Sequence, residues 1–274
     1  MFTGMDGMYV TDCANRVIVG GGTPRGSSWY EAVAQCVVAL KHARETSQFT
    51  SKQSNHRRGR FPALAAGFAY GLGQLRPAMT VHGPPTNGAL AGLLADAHIR
   101  RIAGFQSSLL LAYAPRLWEY YRSTMDGILE LQPELQRNFE DSVFASITFN
   151  FGPRTVTVPH IDHLNLAGGL CAITSLGDFD PDLGGHLILW DLRMVIRFPP
   201  GATILIPSAL VRHSNVPIQQ GEQRYGITQY TSGGLFRWAD NGFCSDADRD
   251  AKGKGKGKAP GRQWDEGLDR FEKR

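Results

Sequence analysis

The pattern of apolar positions changes near residue 143. Before it, apolar residues recur at helical spacing in WYEAVAQCVVALKHARE (residues 29–45) and again over residues 87–104 and 106–137. These stretches predict three or four helices, with a restart or kink at Pro115. After it come short runs of strand character: FASITFNF, TVTVPHID, GLCAITSLG, GHLILWDL, MVIRF, ATILIPS, LVRHSN and YGITQYTSG, parted by Gly, Pro and Asp. Short runs with turn residues between them predict an all-β sandwich or barrel. Strand-like MYVTD and RVIVGGG open the chain, and FPALAAGFAYGLG precedes the later helices. In that last run Gly67, Gly71 and Gly73 predict close approach of another backbone or a ligand. Polar TSQFTSKQSNHRRGR (residues 46–60) predicts a mobile loop. The expectation is an α+β fold in one domain, residues 1–245, with supporting helices and strands over 1–142 and the β-core over 143–235. Residues 246–262 then read as a flexible linker in which Lys252, Lys254, Lys256 and Lys258 alternate with Gly or Ala, and 263–274 as a short C-terminal helix.

Composition narrows this only a little. At 42% hydrophobic residues the chain can build a sizeable core. Without an apolar run of about 18 residues no membrane span or membrane partner is expected. The opening MFTGMDGMYVTD has no basic segment followed by an apolar one, so no secretory leader is expected. Cys13, Cys36, Cys171 and Cys244 lie far apart with no CxxC pair, which predicts free thiols and no structural zinc. The net charge of +4 only weakly favours a polyanionic partner.

The chemistry concentrates in PHIDHLNL, residues 159–166. Non-haem Fe(II) oxygenases hold iron with two His and one carboxylate on one octahedral face. On a strand, residues two apart point the same way, so His160 and Asp162 suit two ligands, and His213 in LVRHSN is the natural third. Arg224, in GEQRYGITQY, then stands where a guanidinium can pair bidentately with the distal carboxylate of 2-oxoglutarate. Each part alone is weak, since isolated His residues are more often structural. Together, inside the β-rich half, they specify an Fe(II)- and 2-oxoglutarate-dependent dioxygenase using O2, on a double-stranded β-helix (jelly-roll) core with helices against its major sheet. A cupin-type metal site is the structural rival, and Arg224 argues against it. His163 points the other way on a regular strand and is read as no ligand; His42, His56, His82 and His98 lie outside the β-core and are read as structural.

HIDHLN fits the pattern HxDxxN and resembles the TET/JBP family of DNA nucleobase dioxygenases. The wider string from GGHLILWDL to GGLFRW (residues 184–238) resembles the fungal, transposon-associated branch. The resemblance runs over about residues 57–245, most firmly 144–245. It implies that Asn165 hydrogen-bonds a flipped base, that Tyr230 stacks on it, and that His186 binds 2-oxoglutarate. Arg154, six positions before His160, is a further candidate for the cosubstrate. The sequence departs from the family at two places: Ser232 stands where a His bonding the cytosine edge is expected, and Gly226 where a Ser is common. Ser232 leaves room and one adaptable hydroxyl, so N6-methyladenine demethylation stands beside 5-methylcytosine oxidation.

The resemblance implies a monomer acting on duplex DNA that carries a methylated base, and hence a nuclear location. Phosphate contacts come from basic side chains, with Arg57, Arg58 and Arg60 the first candidates. Two other readings use the same residues: a same-core oxygenase acting on a protein side chain, RNA base or small molecule, and a DNA-binding β-barrel without activity.

Overall fold

The computed structural model describes residues 7–71, 73–251 and 265–274. Its elements in chain order are β1 (Met8–Thr11), β2 (Val17–Gly22), α1 (Ser27–Thr46), α2 (Ser51–Ser54), β3 (Ala63–Ala69), β4 (Ala78–Met79), α3 (Pro84–Ala95), α4 (Ala97–Tyr113) and α5 (Pro115–Leu131). Then follow β5 (Ser146–Asn150), β6 (Cys171–Asp178), β7 (Leu187–Leu189), β8 (Met194–Ile196), β9 (Thr203–Ile206), β10 (His213–Asn215), β11 (Gln223–Tyr230), α6 (Gly233–Asp240) and α7 (Asp246–Ala251). Pro115 opens α5 at its first turn, where a missing N–H costs nothing, and Asp96 caps α4 by accepting from the amides of His98 and Ile99. Among the described residues no helix is long and apolar enough to cross a membrane.

The strands form a double-stranded β-helix. The major sheet runs β1-β2-β9-β6-β11-β5-β3-β4, and the minor sheet β10-β7-β8. All named strand pairs are antiparallel. The β-core is therefore wider than residues 143–235, because β1 to β4 extend the major sheet at both edges.

Period-two alternation sorts the central strands into two faces. Ile147, Phe149, Leu176, Tyr225 and Ile227 turn toward the helices and join a core with Trp29, Val33, Leu40, Ile99 and Ile102. Polar residues on that face are paired too: Gln229 donates to the Ala103 carbonyl of α4, and Gln106 of α4 donates to Thr174 Oγ1. Between the sheets Cys171, Ile204, Ile206, Leu187, Leu189, Ile196 and Phe198 close a second core.

Three expectations change. TVTVPHID is no strand. It touches its neighbours by isolated bridges, Arg154 with Arg224 and His160 with His213. Pro159 has no N–H to give a ladder, and the Thr157 amide is taken by the Asn215 side chain at 2.8 Å. Residues 46–60 do not form one open loop: α2 is closed by a capping box between Thr50 and Gln53, and His56 and Gly59 exchange backbone hydrogen bonds of 3.1 and 2.9 Å. The expected linker over 246–262 begins with α7, and its remainder, 252–262, lies outside the described residues, as do 263 and 264 of the expected C-terminal helix. Helix is present at 265–268. The end of the chain then docks on the fold: Glu272 accepts from the Val17 amide, Arg116 pairs with Glu272 at 3.0 Å, and Phe271 is buried.

Candidate active site

His160, Asp162 and His213 converge, with one ligand atom from each lying within 4.8 Å of the others. The two His are set side by side by backbone pairing, His160 N–H to His213 O at 3.1 Å and the reverse at 2.9 Å, which places the rings 4.3 Å apart. Each ring is then oriented by its own chain. Nδ1 of His160 lies 2.8 Å from the Val158 carbonyl, and Nδ1 of His213 lies 2.9 Å from the Val211 carbonyl. A proton on Nδ1 leaves the Nε2 lone pair for a metal. Both Nε2 atoms face the Asp162 carboxylate, at 3.9 and 3.8 Å. Burial pushes the His160 pKa down to about 4, with the neighbouring His213 ring adding to it, and burial lowers that of His213 as well. Neutral imidazoles beside a carboxylate are the form in which these groups bind a metal. Asp162 is anchored by its amide, which donates to the Ser208 carbonyl at 2.8 Å.

The other carboxylate partner was not legible in the sequence. Arg57 donates to Asp162 Oδ1 at 3.0 Å and to the Ile161 carbonyl at 2.5 Å. It is thereby engaged with the segment that carries His160 and Asp162. The turn that carries it lies on the same segment: Val158 N–H donates to Arg58 O, and a Cβ at Gly59 would overlap the Val156 carbonyl.

A narrow chamber leads from the triad into the sheet, lined by Thr155, Ser175, Phe198, Gly226 and Thr228 among others and ending at Arg224. The Arg224 side chain is 5% exposed, its Nε and Nη1 are buried with no hydrogen-bond partner, and burial pushes its pKa down to about 10. The rings of Phe179 and Phe198 lie 5.8 and 6.0 Å from it. Its cross-strand neighbour is Gly177, where φ is 130° and a Cβ would overlap the Gln223 carbonyl, so only glycine lets β6 come this close. A buried guanidinium with two free donors fits one kind of ligand, a carboxylate or similar anion reaching in from the triad.

A second, wider cavity of about 390 Å³ meets the first at Arg58, Asp162 and Thr228. It is lined by Asn165, Tyr230, Thr148 and Leu164 from the β-rich half and by Lys52, Gln53, His56, Arg57, Arg58 and His82 from the N-terminal half. Thr148 donates to the Tyr230 hydroxyl at 3.2 Å. The Asn165 NH2 donates to Ser208 Oγ at 3.0 Å, which turns its carbonyl oxygen free of described partners. Its backbone N–H closes a turn on Asp162 O.

Four sequence candidates stand elsewhere. Ser232 is occupied by the backbone of Tyr70, accepting from its amide at 3.3 Å, and lines neither cavity. Arg154 is exposed and donates to the carbonyls of Ile218 and Gln219, outside the chamber, because the non-strand path from Pro153 turns it away. His186 is buried with its Nε2 unpartnered, but it is not among the chamber's lining residues. Arg60 is exposed and lines neither cavity. Conversely, His56 and His82, read as structural, line the wide cavity, although His82 has both ring nitrogens engaged, by Ala65 O and Gln53.

No protein-family model matches the sequence, and no curated protein matches it. Among solved structures the chain is similar to NgTET1 in complex with 5mC DNA, with 16% identity, a TM-score of 0.61, and coverage of 84% of this chain and 77% of that one. It is more distantly similar to a prolyl-4-hydroxylase from Pseudomonas putida, at 14% identity and TM-score 0.39 over 77% of this chain and 91% of that one. A 2OG-Fe(II) oxygenase family oxidoreductase from Burkholderia pseudomallei gives 14% identity and TM-score 0.37, covering 76% and 91%. At these identities the likeness is one of fold, carried by the first of the three.

Proposed function

We propose that the protein is an Fe(II)- and 2-oxoglutarate-dependent dioxygenase that oxidises the methyl group of a modified base flipped out of duplex DNA. The observation that carries it is a pair of adjoining spaces that share Asp162: one holds the two-His, one-carboxylate triad and the buried unpaired Arg224, and the other is a cavity of base size or larger. The donor set fits the metal, since two neutral imidazoles and one carboxylate on adjacent backbone leave the remaining positions of an octahedral ion open. When bound, iron and 2-oxoglutarate would supply hydroxylation of a methyl C–H bond by O2, one oxygen atom going to the methyl and the other to succinate, with release of carbon dioxide.

The chain's own residues do the rest. His160, Asp162 and His213 hold the metal, and Arg57 fixes the carboxylate's orientation by occupying Oδ1. Arg224 pairs with the far carboxylate of the keto acid. Alternate residues of β11 then carry the site outward on one face: Arg224, Gly226 and Thr228 in the chamber, Thr228 and Tyr230 in the wide cavity. Tyr230 offers a ring beside the base, and the free oxygen of Asn165 accepts from an exocyclic N–H, which both cytosine and N6-methyladenine present. Lys52 and Arg58 make the cavity cationic toward a phosphodiester; its one acidic lining residue, Asp162, belongs to the triad. A hydroxymethyl on carbon stays on the base, whereas one on nitrogen breaks its C–N bond, the hydroxyl proton passing to nitrogen and the carbon leaving as formaldehyde. DNA as substrate is supported by the NgTET1 fold likeness together with Asn165 and Tyr230 in the cavity. A nuclear location follows from that substrate.

The test is mass spectrometry of duplex oligonucleotides carrying 5-methylcytosine or N6-methyladenine after incubation with the protein, Fe(II) and 2-oxoglutarate. Hydroxymethyl-, formyl- or carboxylcytosine, or loss of the adenine methyl, is expected. No change in either duplex sinks the DNA reading.

A further inference from the structure

Arg224 is not the only unsatisfied group in the chamber. Asn150 Oδ1, Thr155 Oγ1 and Ser175 Oγ are also buried with no hydrogen-bond partner, and all three residues line the same space. They are 8, 5 and 1% exposed, so water at the surface does not satisfy them. Other polar side chains of the chamber are paired within the protein: Thr157 Oγ1 donates to Asn215 Oδ1 at 2.7 Å, and the Asn215 side-chain amide donates to the Thr155 and Val216 carbonyls. The orphans are thus selective, and they line the same chamber as the Arg224 guanidinium.

Register explains the collection. Gly226, the next residue on Arg224's face of β11, is flanked across the sheet by Asn150 on β5 and Ser175 on β6. With no side chain at Gly226, the floor between these two neighbours stays open. Thr155 comes from the opposite side, where its amide donates to the Arg224 carbonyl at 3.2 Å. Buried hydroxyls and amides are nearly always hydrogen-bonded, so several unpaired ones facing one cavity define the chemistry of what fills it. Two hydroxyls, an amide and a guanidinium together suit an anion with more than one oxygen.

We propose that Asn150, Thr155 and Ser175 form, with Arg224, a four-residue cradle for the far carboxylate of the keto acid. In it Arg224 neutralises the charge. The Thr155 and Ser175 hydroxyls donate to the oxygens from either side, and the Asn150 amide, turned by half a rotation, adds its NH2. The neutral donors fix how deep the carboxylate sits and therefore which chain length reaches from the cradle to the triad. This inference rests on the 2-oxoglutarate reading of the chamber.

The experiment is titration calorimetry of 2-oxoglutarate into the 274-residue chain loaded with Mn(II), with Mn(II) affinity measured separately by electron paramagnetic resonance. Ser175→Ala, Asn150→Ala and the near-isosteric Thr155→Val each weaken 2-oxoglutarate binding about tenfold, while Mn(II) affinity stays at the wild-type value and reports that the fold is intact. Arg224→Ala serves as the reference loss. If the wild-type Mn(II) protein binds no 2-oxoglutarate, the reading of the chamber fails before the cradle is tested. If wild type binds, Arg224→Ala loses binding, and all three other variants stay within about twofold, the cradle is wrong and Arg224 acts alone.

Discussion

The two cavities that meet at Asp162 and Thr228 are built on opposite plans. The narrow chamber is made by the β-rich half, with Arg58 its one lining residue from the N-terminal half, and several of its polar atoms are left unpaired. The wide cavity draws half its wall from residues 52–82, and many of its polar groups are already satisfied: Arg57 by Asp162, His82 by Ala65 and Gln53, Tyr230 by Thr148. A space lined with buried unpaired donors is prepared for one anion in one pose, at a cost in stability to the empty protein. A space with satisfied walls and a few free groups selects its occupant by shape and by those groups. The comparison separates what drives the oxidation from what selects its target, and substitutions should separate them too.

The largest effect belongs to the point where the cavities join. His160→Ala, Asp162→Ala or His213→Ala abolishes succinate formation and metal binding, read by succinate assay and metal titration; turnover in any of them breaks the scheme. Next is the chamber alone. Arg224→Met raises the KM for 2-oxoglutarate on the order of a hundredfold, through loss of about 3 kcal/mol of charged hydrogen bonding. The same variant unfolds at an equal or higher temperature than wild type when no cosubstrate is present, because it removes a buried cation with unpaired donors. A fall in thermal midpoint would show that the guanidinium has a partner inside the protein.

The wide cavity should respond in a different currency of measurement. Asn165→Ala and Tyr230→Ala each lower kcat/KM for methylated duplex about 5- to 150-fold, a loss of about 1–3 kcal/mol, while slow DNA-independent succinate formation stays near wild type. Equal losses in both readouts would merge the two cavities into one function. Arg57→Ala is smaller, weakening metal affinity about tenfold through the freed carboxylate, and chelator competition measures it. The smallest effect is on pH. Burial, with Arg58 beside it, holds the His56 pKa below its usual value. Below pH about 6.5 the unfolded chain takes a proton that the folded imidazole refuses, so stability declines as pH falls through this range. His56→Gln removes that part of the decline, which thermal melts at pH 8 and 5.5 resolve.

The same division marks what could be read from the sequence. The convergence of His160, Asp162 and His213 was legible because all three sit in the β-rich half of the chain, and alternation along β11 puts Arg224, Gly226, Thr228 and Tyr230 on one face. The reason given for His160 and Asp162 was nonetheless wrong in detail. They share no regular strand; a backbone bridge to His213 and a turn onto Ser208 bring them together. Pro153 and Pro159 were the signal for that irregular path. Arg154 points away from the chamber because its expected direction needed an unbroken strand to His160, and Ser232, named by the resemblance alone, lies past the end of β11 with its hydroxyl on the Tyr70 amide. The N-terminal wall was not legible at all. The Arg57–Asp162 pair joins residues more than a hundred positions apart, and no local periodicity encodes such a contact. HRRGR offered charge without direction.

The most direct test of the whole account is stoichiometry. Succinate and oxidised base would be counted in the same reaction, with Fe(II), 2-oxoglutarate and methylated duplex, and again with unmethylated duplex. The account predicts succinate formation strongly stimulated by the methylated duplex and matched one for one by oxidation events on the base. Succinate formed at the same rate with either duplex, and no altered base, would mean that the wide cavity does not take DNA; no succinate under any condition would contradict the assignment of the triad and Arg224.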